Sequence, residues 1–217
     1  MNRTEPAGRS GLVLLGVVRG LIREAALVDG ALDELRPRIV AVALSAEEIA
    51  ALEEHFVGRA TEPFVPLLGT ETVEIRELGR FGEVRVPHPG LLAALEWSRR
   101  HVVEVRAVDP GEEAYAELFA ANVGYLELVG RTLRERRLLR SPPRTAGPEE
   151  FVVAWDRQLN RGRGSRALVR EREAHVAGEL TELLRGEGPV ACVVDRERVE
   201  PLLRALRDGS GRGRDVP

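Results

Sequence analysis

Residues 11–18 read GLVLLGVV, an unbroken apolar run closed by Arg19 and Gly20. Eight residues fall well short of the roughly 20 needed to span a bilayer. They suit a strand buried on both faces of a parallel sheet. Two further runs have the same character, IVAVAL at 39–44 and PVACVV at 189–194. Between the first two, Leu21, Ile22, Ala25, Ala26, Ala31, Leu32 and Leu35 recur at helical spacing, and Pro37 ends that helix. After the second run, Ser45 opens Ser-Ala-Glu-Glu, a capping box with Glu48 at its third helical position. Buried strands alternating with helices predict an α/β fold with a mostly parallel central sheet flanked by helices.

The middle of the chain is read in the same terms. Residues 57–69 are expected to form a loop. Residues 72–78 and 83–87 alternate around a glycine-bounded connection and predict a β-hairpin insertion. A helix over 90–101, a strand over 102–108 and a turn at Asp109-Pro110-Gly111 follow, then one long helix over 112–139. The run RSPPRTAGP at 140–148 is the strongest break. Pro148 opens a helix to 159, Ser165 is expected to cap a helix to about 185, and a last helix follows the strand at 189–194. That strand has no partner in its own half. It is therefore expected to join the first strands in a single α/β domain over 11–207, with a helical excursion over about 112–186. The polar ends, 1–10 and 208–217, are expected to be flexible.

Composition narrows the chemistry. The 217 residues contain no lysine; all 32 basic residues are arginine, against 28 Glu and 7 Asp. Codon bias in a GC-rich genome explains most of this, and scarce Gln, Met and Cys is the direction thermophile chains take. Walker-type phosphate binding, Schiff-base chemistry and a lysine base are all excluded. No G-x-G-x-x-G, H-E-x-x-H or G-x-S-x-G occurs, and no cofactor is expected. The net charge of −3 makes no global case for nucleic acid or an anionic membrane. Arginines 157, 161, 163, 166, 212 and 214 suggest a nucleic-acid patch, but aromatics are only 4% of the chain, so a solvated loop is the better reading. Cys192 alone excludes an internal disulfide, and no cleavage site follows the first apolar run, so a cytoplasmic protein is expected.

In open α/β sheets, ligands bind beyond the carboxyl ends of the strands. That rule selects Arg19 and Gly20, Ser45, Asp109, Asp195 and Arg198. Ser45, Asp109 and Asp195 are also ordinary cap or turn residues. Arg172 and Glu173 fall on or beside the apolar stripe of the helix from 165, where a charge is costly unless paired. Glu171, His175 and Glu179 repeat at i,i+4, a spacing read as a solvated face in preference to a metal ledge. His88 and His101 lack ligand partners nearby in sequence. His101 is expected to complement a helix carboxyl end. Phe151, Trp155 and Leu159 share a face and are expected to pack in the core or at a homo-oligomer contact.

GLVLLGVVRG followed by a helix ending ELRP and then RIVAVAL resembles the start of the TraB/PrgY pheromone-shutdown family and its Tiki-like relatives. VREREAHVAGELTELL followed by PVACVVDRERV resembles that family's Glu-Arg helix and final strand. The resemblance covers 11–56 and 166–206. It implies a metal-dependent, hydrolase-like site built around two Gly-x-x-His motifs. Here the first motif aligns with Gly16-Val17-Val18-Arg19 and the second with Asp195-Arg196-Glu197-Arg198, while Glu171-Arg172 keeps the helix pair. Guanidinium offers no lone pair to a metal. The resemblance so altered implies a metal-free, regulatory site in which Arg19, Arg172 and Arg198, against Glu171 and Asp195, hold a small anion or an acidic peptide group. Two alternatives stand beside it: a hydrolase with Glu171 or Asp195 as base, and an interaction module presenting the 112–139 helix.

Overall fold

The computed structural model describes residues 1–6, 11–56 and 69–212. The chain is an α/β fold. Five strands, β1 (Asn2–Thr4), β2 (Leu12–Val17), β3 (Ile39–Val42), β4 (Glu104–Ala107) and β5 (Val190–Asp195), form one sheet in the order β1-β2-β5-β3-β4. All neighbours are parallel except β1, which runs antiparallel to β2. The three apolar runs of the sequence are its three central strands. Each residue of β2, β3 and β5 is buried, because helices cover both faces and leave no solvent side for an alternating pattern.

On one face, α1 (Arg23–Leu35) and α4 (Pro89–His101) pack Val28, Leu32, Ala94 and Trp97 onto Val13, Leu15, Val17 and Val193. The helix after β3, α2 (Ala46–Phe56), adds Leu52 to the same layer. On the other face, α8 (Arg163–Leu183) and α9 (Val199–Arg212) pack Val176, Leu180, Leu202 and Leu206 onto Leu12, Leu14, Cys192 and Val194. A third cluster lies beyond the carboxyl end of β2. There α3 (Gly69–Leu78), α6 (Tyr125–Arg140) and α7 (Pro148–Leu159) gather Leu78, Leu138, Phe151 and Trp155 around Val18 and Leu21. Phe151 and Trp155 thus take the core role expected of them.

Several expectations change. Residues 72–78 are the end of α3 and not a strand, and of 83–87 only Val84 makes a bridge, to Leu21. The alternation that suggested a hairpin is also a helix with one face on the third cluster. Residues 2–4, expected to be loose, pair with β2. The long helix is two, α5 (Glu112–Asn122) and α6, separated at Val123 and Gly124. The apolar stripe of α6 is open to solvent, with Leu126 84% exposed. The loop expected over 57–69 lies outside the described residues except for Gly69, which begins α3.

The Ser45 capping box is formed as read. Ser45 N–H donates to Glu48 Oε2 at 2.8 Å, and Glu48 N–H donates to Ser45 Oγ at 3.2 Å. The cap expected of Ser165 is not formed. Ser165 is buried, two residues inside α8, and its hydroxyl donates to Glu127 Oε1 at 2.9 Å. Glu127 of α6 also takes a backbone hydrogen bond from Gly164 and an ion pair from Arg134 at 2.8 Å. The first turn of α8 is therefore capped from another helix, and an added Cβ on Gly162 would lie 1.5 Å from the Glu127 carboxylate. Gly162→Ala should displace Glu127 and cost about 1–2 kcal/mol, the usual scale of a lost cap, read from the urea unfolding midpoint.

Candidate functional site

The connections of the sheet create two crevices. The chain leaves β2 and β3 toward one face, through α1 and α2, but leaves β5 toward the other, through α9. Neighbouring strands that diverge in this way open a cleft at their carboxyl ends. β5 stands between β2 and β3, so one crevice lies on each of its sides. The polar residues following β5 serve both: Asp195 ends the strand, a 3₁₀ turn spans Arg196–Arg198, and α9 begins directly after it.

The β5/β3 crevice is closed by ion pairs. Arg198, with its side chain 8% exposed, donates Nε–H to Glu173 Oε1 at 2.6 Å. Its Nη1 donates to Asp109 Oδ2 at 2.7 Å and to the Ala43 carbonyl at 3.3 Å, and its Nη2 to Asp109 Oδ1 at 3.1 Å. Arg172 adds a second two-point contact to Asp109, with Nε–Oδ1 at 2.9 Å, and lies over the Tyr115 ring at 5.6 Å. Two guanidinium groups face two carboxylates, so the cluster is neutral. Burial presses the Asp109 carboxyl upward, but the hydrogen bonds and charges of Arg172 and Arg198 prevail and hold it below the usual range. Glu173 is raised, since burial, with repulsion from Asp109, outweighs the attraction of Arg198 and Arg172. Arg198 joins β3, α8 and the start of α9. Replacing it with methionine leaves Glu173 buried without a cation and should cost about 3–5 kcal/mol, measurable as a lower urea midpoint.

The β2/β5 crevice is different. Arg19 is ion-paired through Nη2 to Asp195 and lies 3.6 Å from Glu197. Glu74 of α3 and His88, the residue before α4, complete the group, and both interact electrostatically with Arg19 and Asp195. One guanidinium here faces three carboxyl groups. Four buried polar atoms have no hydrogen-bond partner among the described residues: Arg19 Nε, His88 Nδ1, Asp195 Oδ1 and Glu197 Oε2. A buried polar atom left without any partner costs about 1–3 kcal/mol, and perturbed polar groups of this kind recur at functional sites.

Titration behaviour follows from burial and charge. Burial pushes Glu197 up to about 8, with repulsion from Asp195 and Glu74 adding to it and Arg19 opposing it. Burial likewise raises Glu74 to about 7 despite attraction by Arg19. Burial and the Arg19 charge lower His88 to about 4, so it is a neutral imidazole at pH 7. Burial presses Asp195 upward, but Arg19 wins and keeps it ionised. Asp156 of α7 is also raised by burial, and it repels Glu74.

The eight residues singled out from the sequence therefore separate. Arg19 and Asp195 meet in the β2/β5 crevice; Asp109, Arg172 and Arg198 meet in the β5/β3 crevice. Gly20 serves the turn: its φ is +87°, and a Cβ there would lie 2.8 Å from Val84. Ser45 is engaged in its capping box. Glu171 accepts a hydrogen bond from Asn122 at 2.8 Å. Sequence reasoning missed His88, Glu74 and Glu197. The one available signal for Glu197 was its place between Asp195 and Arg198. His101 behaves as expected, with Nδ1 2.9 Å from the Trp97 carbonyl near the end of α4.

The metal site implied by the resemblance does not fit these donors. Among the described residues no three His, Cys, Asp or Glu side chains are grouped to hold an ion. The side chains at the two matched histidine positions are ion-paired guanidinium groups. Comparison with protein-family models finds no match along the chain, and comparison with curated proteins finds no relative. No helix among the described residues is long and apolar enough to cross a membrane.

The raised Glu197 gives a direct check. The folded protein retains a proton on Glu197 up to about pH 8, whereas the unfolded chain releases it near 4.5. Stability from the protonated form is full below about 4.5 and is lost as pH rises to about 8. Glu197→Gln keeps a neutral group in place. Its stability relative to the wild type should rise between these values and level off above them, read by urea unfolding at successive pH values.

Proposed function

We propose that the β2/β5 crevice is an acid–base site and that the protein is a hydrolase with carboxylate-based chemistry, a divergent relative of the TraB/Tiki group working in the cytoplasm. The observation that supports this best is the set of buried, unpartnered atoms on Arg19, His88, Asp195 and Glu197 at a strand-end crevice. The pure anion-binding reading is weaker. Arg172 and Arg198 spend their donors on Asp109 and Glu173, and Arg19 faces an excess of carboxyl groups.

The residues divide the work by protonation state. Glu197 is protonated at pH 7 and donates its proton to the leaving group as the scissile bond breaks. Glu74, near half ionised, accepts the proton of the attacking water. The Arg19 Nε–H is a free donor for the oxyanion that develops. Asp195, the residue weighed as a base from the sequence, instead holds Arg19 in place.

Hydrolysis of p-nitrophenyl acetate, p-nitrophenyl phosphate and a fluorogenic peptide tests the reading. Turnover of at least one substrate is expected, and on the peptide, whose amine leaving group needs a proton, kcat/KM should fall about 100-fold or more in Glu197→Gln. Activity should decline above about pH 8 as Glu197 loses its proton. Turnover of none of the three, or activity unchanged in both Glu197→Gln and Glu74→Gln, would overturn it.

A further inference from the structure

A groove of about 980 Å³ runs along α8 and α9 and up to α7, and Glu197 forms part of its wall. The 3₁₀ turn that carries Glu197 packs against α7. The Glu197 side chain is 10% exposed, and its Oε2 is buried and unpartnered among the described residues. One end of the acid–base cluster therefore borders an opening large enough for a small molecule.

The groove has a distinctive charge pattern. Arg157, Arg161, Arg166 and Arg170 crowd the corner where α7 gives way to α8, and Arg204 faces them from α9. Among the described residues none of these five has a carboxylate within ion-pair distance of 4.0 Å. Arg166 donates to the Arg161 carbonyl at 2.6 Å. The neighbouring acids are mostly engaged elsewhere: Asp156 with Asn160 at 2.7 Å, Glu171 with Asn122 at 2.8 Å, and Glu182 with Arg185 at 2.6 Å. Glu200 and Asp208 lie on the α9 wall. In a chain without lysine, a scattered arginine is unremarkable. Four at one corner, left unpaired while Arg19, Arg172 and Arg198 are all ion-paired, form a site for an oxyanion, which guanidinium binds through two parallel N–H donors.

We propose that this groove is the substrate channel of the Glu197 site and admits a small molecule bearing a carboxylate or phosphate. The anionic group rests on the arginines of the α7–α8 corner, and the uncharged scissile bond reaches Glu197. The inference rests on the acid–base reading above and adds the class of substrate. It also explains how a crevice with excess carboxyl groups acts on an anion: the charge is held away from the carboxylates, on a different wall of the groove.

Isothermal titration with pyrophosphate and with succinate, at constant ionic strength, distinguishes the two oxyanion types. The full chain is compared with Arg161→Gln/Arg170→Gln, with Glu197→Gln, and with Arg207→Gln, an exposed arginine of α9 outside the groove. At least one anion should bind the wild type. Affinity should fall about tenfold or more in the double variant, as loss of a charged two-point contact requires, and stay within about twofold in Arg207→Gln. Glu197→Gln should retain binding while losing hydrolysis. No binding of either anion, or equal weakening by Arg207→Gln, overturns the channel and leaves the Glu197 chemistry standing. Intact groove-dependent binding with no Glu197-dependent hydrolysis overturns the acid–base reading, and with it the role of the groove as a substrate channel.

Discussion

The insertion of β5 between β2 and β3 is the constraint on which the molecule depends. This strand arrives from the far end of the chain and pairs with a strand on each side, with all six residues buried. Without it the sheet has no continuous centre, and α8 and α9 have nothing to cover. A strand buried on both faces carries no polar side chain along its length. Its charged residues are therefore confined to its end, where Asp195, Glu197 and Arg198 follow one another. The chain then turns to the face opposite that of α1 and α2, and a crevice opens on either side of the strand.

The two crevices show what separates a structural charge cluster from a candidate site. Around Arg198 the charges balance and nearly every donor is used, so the cluster ties together β3, α8 and the start of α9. Around Arg19 the balance fails. One guanidinium cannot stabilise three carboxylates away from water, so two of the acids retain protons toward neutral pH and several polar atoms lack partners. In the first arrangement only Glu173 is raised; in the second both Glu197 and Glu74 are. Both draw on the same short segment after β5, and neighbouring residues 197 and 198 belong to opposite kinds.

The helices beyond the sheet sharpen the contrast. α3 and α7 lie over the carboxyl end of β2 with a small apolar cluster of their own. This cover contributes the partial burial that shifts Glu74, His88 and Glu197, while the Arg19 side chain keeps one edge toward solvent. The same α7 continues into the corner that bears the unpaired arginines.

The sequence by itself determined the α/β class, the three central strands and the Ser45 capping box, because each depends on local periodicity or on contacts three residues apart. It also pointed to the strand ends, and so to Arg19, Asp109, Asp195 and Arg198. Only the tertiary structure decided which of these charges meet. Arg198 finds Asp109 across 89 residues, and Arg19 finds Asp195 across 176. No local pattern encodes such pairs. Glu74 looked like part of a hairpin, and His88 lay between two prolines with no partner nearby. Their importance comes from burial beside a distant arginine, which exists only once β5 has taken its place in the sheet.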